Sequence, residues 1–265
     1  MDFSQATAIE RLGDGIYRLD VPDGWHQGVG AYGGVVLGAL TRALADVCRS
    51  GSSDEARPLR TLTATIAGPL RVGPAEVRVE PIRVGKGVSV LAGKIVQGSE
   101  LPAHAVGTFG RTRPTDADGV ALVKPTARDY RVIEPIAANG VMPEFTQHFE
   151  FRIASGVPFS GGPEAVTTGW IKPRVPVTPD EALVVGLADA WWPSQFTRMT
   201  TPRYIVTLTF TLQIFAGASA IGDAPLLFTS RTMAAAGGYL TEARELWTED
   251  GQLVALNQQT MAIVK

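Results

Sequence analysis

A helix followed by a run of strand-like segments occurs twice in this 265-residue chain, and that repeat constrains the fold more than any other feature. The first helix is predicted over 33–47, where apolar residues recur three and four apart behind the Gly33-Gly34 pair. The second begins with Thr178 as N-cap, Pro179 at the first helical position and Asp180 and Glu181 in the first turn, and should stop before Pro193. After the first helix, strands are predicted over 59–70, 75–84, 88–96 and 101–111; after the second, over 203–215, 225–233, 239–248 and 252–264. Gly85-Lys86-Gly87, Gly237-Gly238 and Asp250-Gly251 supply turns between them. Thr61-Leu62-Thr63-Ala64-Thr65-Ile66 aligns with Thr207-Leu208-Thr209-Phe210-Thr211-Leu212, and Leu101-Pro102-Ala103 with Leu253-Val254-Ala255. A helix-on-antiparallel-sheet unit used twice is an α+β chain. Pro114, Pro125, Pro135 and Pro143 mark 114–144 as a linker between units 1–113 and 145–265.

Composition removes several function classes. With 24 Lys and Arg against 26 Asp and Glu, the formal charge is −2, so no basic field draws the chain to nucleic acid or an anionic membrane surface. Cys48 is the sole cysteine, which excludes an intramolecular disulfide, and no Cys/His cluster has metal-ligand spacing. No apolar run is long enough to span a membrane as a helix. The acidic, polar start is unlike a signal peptide, so the cytoplasm is the expected compartment. His26, His104 and His148 lie far apart without obvious partners, so any chemistry is expected to rest on other groups. His26 is read as a hydrogen-bonded loop residue, with Trp25, Gln27 and Gly28 beside it at a pocket mouth.

A few residues stand out chemically. Asp189 sits in Leu187-Ala188-Asp189-Ala190-Trp191-Trp192, near a helix C-terminus, where both the dipole and burial disfavour its charged form. That environment suits a general base, although a solvent-facing Asp on the polar side of the helix fits the same residues. Thr207, Thr209 and Thr211 share one strand face by the period of two. Asn257-Gln258-Gln259 interrupt an apolar last strand; Gln258 and Gln259 face opposite sides, so one points inward and needs a partner. A buried amide can donate to a water oxygen and accept its proton. Gly33-Gly34 opens a helix whose free N–H groups suit a developing oxyanion, or simply allows close packing.

The chain resembles the acyl-CoA thioesterases of the thioesterase II type, built as a double hotdog: two tandem helix-wrapped antiparallel sheets. Four segments carry the resemblance: residues 32–40 at the opening of the first helix, Trp170-Ile171-Lys172 with Thr178-Pro179-Asp180 leading into the second, 186–193 at its end, and 247–255 followed by Gln259 in the last hairpin. The resemblance implies hydrolysis of a fatty acyl thioester by a water that Asp189 activates and Thr207 and Gln259 orient. Gly33 and Gly34 are then read at the carbonyl, and Trp191 and Trp192, with Phe196, as lining of an acyl channel, with core packing the simpler explanation of the three aromatics. The resemblance implies no metal or redox cofactor, an acyl-CoA substrate, and a homo-oligomer, expected as a dimer. In the first half Thr61 falls opposite Thr207 and Gly107 opposite Gln259, so one working site per chain is expected. No basic cluster for the CoA phosphates stands out; Arg198 and Arg203 are the candidates. The rivals are an enoyl-thioester hydratase-like lyase, which would need an Asp/His pair, and an acyl-thioester binding module without turnover.

Overall fold

Alternation of apolar and polar residues, the signal of a strand with one face buried, runs through most of this chain and produces one large sheet around a pair of packed helices. The structure is a computed structural model that describes residues 1–51, 57–113, 119, 122–137 and 142–264. A short α1 (Phe3–Ala6) leads into β1 (Glu10–Gly13), β2 (Ile16–Val21) and the small hairpin β3 (His26–Gln27) and β4 (Gly30–Ala31). Helix α2 (Gly33–Ser50) follows, then β5 (Leu59–Ile66), β6 (Gly73–Val84), β7 (Val88–Gln97) and β8 (Glu100–Gly110). The second half repeats the plan with β9 (Phe149–Ser155), β10 (Val166–Pro173), α3 (Glu181–Asp189), β11 (Tyr204–Ile214), β12 (Leu226–Ala236), β13 (Tyr239–Trp247) and β14 (Leu253–Val264).

The expected pair of separate sheets is one continuous sheet of twelve strands, ordered β1-β2-β6-β7-β8-β5-β11-β14-β13-β12-β10-β9. Outward from the β5–β11 seam the two halves run in the same order, six strands each. Each half supplies one open edge with unpaired backbone groups, and pairing those edges satisfies both. At the seam Thr63 faces Thr211, with Leu62 opposite Leu212 and Ala64 opposite Phe210. That local two-fold relates Thr63 to Thr211, and so Thr61 to Thr209, two residues away from the sequence alignment. A two-residue slip leaves every side chain on its original face, so alternation alone does not fix it. The strands ahead of each helix, β1, β2, β9 and β10, add to the four predicted in each half.

Helix α3 is buried on all sides from Ala182 to Ala188, consistent with its apolar composition all round. It packs against α2, and both lie in the main core with Leu19, Val77, Leu91, Phe149, Phe210 and Phe228. Phe3 of α1 seals the helix pair: a Cβ on Gly38 or Gly186 would stand 3.1 or 2.5 Å from its ring, so both helices present glycine there. The cap of α3 is Asp180 rather than Thr178. The Asp180 carboxylate accepts the Leu183 N–H at 2.9 Å and pairs with Arg42 of α2 at 2.7 Å. A carboxylate at the positive helix end both caps and complements the dipole, which a threonine does not.

The expected linker lies partly outside the described residues, at 114–118, 120–121 and 138–141. Its described part is strapped to the sheet face turned away from the helices. There Ala127, Tyr130 and Ile133 cover Trp170, Leu227, Trp247 and Leu253, and the Trp170 indole donates to the Arg128 carbonyl at 2.8 Å. Among the described residues no helix is long and apolar enough to cross a membrane.

Candidate active site

The last strand places its polar residues by simple alternation. On β14, Asn257, Gln259 and Met261 point toward the helices and Gln258 points outward; Gln259 has 0% and Asn257 4% relative exposure. The neighbouring strand needs more than alternation. Thr207 pairs with Met261 and Thr209 with Thr260, so Leu208 is an extra residue in β11. That β-bulge turns Thr207 to the inner face while Thr209 and Thr211 stay on the other, which corrects the expectation that the three threonines share a face. A bulge re-aims a side chain at the cost of one ladder position. The first half carries a matching bulge between Leu59 and Thr61. By register, Leu59 occupies the place of Thr207, Gly107 that of Gln259 and Phe109 that of Met261. Gly107 is packed by Leu44, Leu59 and Phe109, so the corresponding spot in the first half is apolar and filled.

The inward polar groups meet the end of α3. Gln259 donates from Nε2 to Asp189 Oδ1 at 3.1 Å and to Asn257 Oδ1 at 2.9 Å, and its Oε1 accepts the Thr207 hydroxyl at 2.8 Å. Asn257 donates in turn to the Thr211 carbonyl at 2.9 Å. This chain of bonds fixes the amide orientations: a carbonyl only accepts, so Asn257 must offer it nitrogen and show its oxygen to Gln259. Both N–H groups of Gln259 are therefore committed, to Asp189 and Asn257. The expected donation from this amide to a water oxygen is not available, and Gln259 acts through its carbonyl oxygen and by tethering its neighbours. Asn257 lay in the polar cluster of the sequence but carried no role there.

Burial pushes the Asp189 carboxyl above the usual aspartate range. Three groups oppose that shift: the Arg244 charge, the Gln259 hydrogen bond and the Gly34 backbone N–H. The carboxylate is enclosed even though the residue as a whole keeps some exposure. The α2 N-terminus comes close because glycine stands there: a Cβ on Gly33 would lie 2.5 Å from Asp189 Oδ2. The Gly34 N–H, expected at a substrate carbonyl, is thus shared with the carboxylate. Tyr32 precedes the pair, its hydroxyl donates to the Gly186 carbonyl, and burial and the Asp189 charge keep it neutral.

A charged pair that the sequence reading overlooked lies beneath the helix end. Arg244 donates from Nη1 to the Ala188 and Asp189 carbonyls at 3.0 and 3.3 Å and from Nε to Glu242 Oε1 at 2.8 Å. Glu242 Oε2 accepts the Ser194 N–H and hydroxyl at 2.6 and 2.7 Å. The available signal was Glu242 and Arg244 at inward positions of β13, between Leu240 and Leu246, where alternation calls for apolar side chains.

The remaining expected residues divide. Trp191 is core: it stacks on Phe228 with ring centroids 5.0 Å apart, donates to the Thr167 hydroxyl at 3.2 Å and fills the space that a Gly169 side chain would take. Trp192 is partly exposed and leans on Trp191 and Phe151. Phe196 packs on Phe159, and Arg198 and Arg203 are exposed. Asp46, at the far end of α2, accepts the Tyr17 hydroxyl at 2.8 Å. The histidines, expected to lack partners, have them in two cases. His26 Nδ1 lies 2.9 Å from Glu144 and 3.5 Å from Asp23, and the three ligand atoms come within 4.8 Å of one another. Glu144 is 118 positions from His26, so no sequence spacing announces the group. His148 stacks on Trp25 at 3.9 Å and bonds the Gly24 carbonyl at 2.8 Å.

Comparison with known proteins adds to this geometry. Residues 116–263 match the family model of the acyl-CoA thioesterase C-terminal domain, and residues 21–110 that of the N-terminal domain. Similar solved structures include a conserved protein with hot dog fold from Alicyclobacillus acidocaldarius, 23% identical, with a TM-score of 0.89 over 99% of this chain and 98% of that one. A putative thioesterase II from Thermobifida fusca is 17% identical, with a TM-score of 0.86 over 99% and 97%. An acyl-CoA thioesterase II from Mycobacterium marinum is 18% identical, with a TM-score of 0.78 over 99% and 98%. No curated protein matches the chain.

Proposed function

The chain belongs to the acyl-CoA thioesterase family, and from that premise we propose that Asp189, Thr207 and Gln259 hold and activate the water that hydrolyses a fatty acyl thioester. The protein is a thioester hydrolase acting on acyl-CoA. The observation that carries the site assignment is the Gln259 amide, which ties Asp189 at the end of α3 to Thr207 on β11. With Thr207 donating to Gln259, its oxygen lone pairs and the second Asp189 oxygen are left to accept the two hydrogens of one water.

In the reaction the water oxygen bonds to the thioester carbon while its proton passes to the Asp189 carboxylate. Collapse of the tetrahedral intermediate breaks the carbon–sulfur bond, and the proton on Asp189 goes to the departing thiolate. The products are the free acid and the CoA thiol. The N-terminus of α2 at Gly33 and Gly34 lies at the reacting carbonyl, where its amides and the positive dipole end offset the developing oxyanion. Trp192 walls the acyl channel, with Trp191 behind it as support. The finer architecture is a double hotdog of units 1–113 and 145–265 joined by 114–144, and chains associate as homodimers, for which the outer strands β1 and β9 offer free edges. Among the described residues, none of the groups bonded to Asp189 is a histidine, which disfavours a hydratase-like Asp/His pair.

The test is thiol release from saturated acyl-CoAs of graded chain length, with wild type and Thr207→Val. Wild type is expected to turn over at least one chain length. Thr207→Val, which keeps the strand shape but removes the hydroxyl, is expected to lose about 10–100-fold in kcat and to lower Tm by several degrees, because the buried Gln259 oxygen loses its donor. Tight acyl-CoA binding with no hydrolysis by wild type, or full activity of Thr207→Val, overturns the assignment.

A further inference from the structure

The site contains a charge pair that the hydrolytic step itself does not use. Arg244 has 2% and Glu242 0% side-chain exposure, at an Nε–Oε1 distance of 2.8 Å. A buried ion pair of this kind is weak as a source of stability, since apolar residues of similar volume often do as well. Its retention therefore asks for another role, and its position suggests one. The Arg244 guanidinium bonds the last carbonyls of α3, Ala188 at 3.0 Å and Asp189 at 3.3 Å, directly behind the carboxylate. Those carbonyls form the negative end of the helix dipole, which by itself would repel a carboxylate. Glu242 aims the guanidinium, and Ser194, in the turn after α3, fixes Glu242 through two bonds of its own.

We propose that Arg244, aimed by Glu242 and Ser194, is a positioning residue whose charge offsets the burial of Asp189 and pins the helix end that carries it. This rests on Asp189 being the base. Among the described residues, the titratable groups facing Asp189 are the neutral Tyr32 phenol, just ahead of α2, and Arg244 from β13, whose own partner is Glu242. Strands β14 and β11 present the uncharged Gln259 and Thr207. Arg244 is thus the one cation at the site, and Glu242 sets how much of its charge Asp189 feels. Removing the pair and removing Glu242 alone should act in opposite directions on Asp189. A merely structural role has no reason to produce that sign change.

The experiment is the pH profile of kcat/KM for acyl-CoA hydrolysis. Glu242→Leu combined with Arg244→Met, which removes both charges together, is expected to move the acid limb up by about 1–2 pH units. Glu242→Gln, which leaves Arg244 charged, is expected to move it down. Arg244→Lys, which keeps the charge but loses the forked geometry, is expected to hold the limb near wild type while lowering kcat. If the double variant fails to fold, a lowered limb in Glu242→Gln with a limb preserved in Arg244→Lys supports the proposal, and an unmoved or raised limb in Glu242→Gln overturns it. Limbs that stay at the wild-type pH in both Glu242 variants, or move the same way, overturn the proposal. An Asp189→Asn enzyme that keeps the wild-type acid limb instead overturns the assignment of the base, so the two failures are distinguishable.

Discussion

Asp189→Asn is expected to lose about 10²–10⁴-fold in kcat/KM on acyl-CoA while becoming more stable than wild type at neutral pH. The loss follows because an amide does not take a proton from water at neutral pH. The stability gain follows from the carboxyl's raised pKa. Burial holds the proton on the folded-state carboxyl to higher pH than in the unfolded chain, whose value lies near the ordinary 3.8. Between those two values the folded state binds more protons than the unfolded state, so stability falls as pH rises through the window. Above that window wild type carries the cost of a buried charge, and the asparagine carries none. Below about pH 4 both side chains are neutral and the difference should vanish. Thermal melts of the two proteins across pH, each kcal/mol appearing as about 2–4 °C, check the sign. A variant that is inactive and also less stable at neutral pH contradicts this account.

Gly33→Ala is expected to lose about 100-fold in kcat and to lower Tm by several degrees. The added Cβ would stand 2.5 Å from Asp189 Oδ2 and 3.4 Å from Asp189 Cγ and the Ile66 side chain. The closest obstacle is the enclosed Asp189 carboxylate itself, so the methyl group displaces it and breaks its bonds to Gln259 and the Gly34 N–H. The carboxylate thus leaves the position from which it meets Gln259 and the water. Alanine also restricts the unfolded chain more than glycine does, which favours the folded state. The lost bonds outweigh that gain, so activity and stability fall together, and kcat measured alongside a thermal melt checks both. Retained activity would mean that the approach of α2 to Asp189 is not needed. The prediction also shows why both halves are required. The base belongs to the second half and the helix end that faces it to the first.

Much of this arrangement was legible in the residues, and the limits have physical causes. The Gly33-Gly34 start, the apolar second helix ending at Asp189 and the inward turn of either Gln258 or Gln259 follow from periodicity, because each is a local property of one element. The two-residue slip at the seam was not legible, since alternation is blind to shifts of two. Nor was the bulge at Leu208, which puts Thr207 on the inner face and leaves Thr209 and Thr211 outside. No side-chain pattern announces an extra backbone residue. The Arg244–Glu242 pair was visible as charge in a strand, yet its meaning depends on the end of α3, fifty-five positions away from Arg244. The grouping of Asp23, His26 and Glu144 was invisible for the same reason.

The central claim is that a water held by Asp189 and Thr207, which Gln259 ties together, attacks the thioester directly. It is tested most directly by a single turnover of enzyme in excess over acyl-CoA, in water labelled with heavy oxygen. Mass spectrometry then reads the label in the released acid and in the peptide containing Asp189. Direct attack by water predicts one heavy oxygen in the acid and none in Asp189. Heavy oxygen in the Asp189 carboxylate, with unlabelled acid, would mean that this side chain is itself the nucleophile through an acyl anhydride, and would contradict the account.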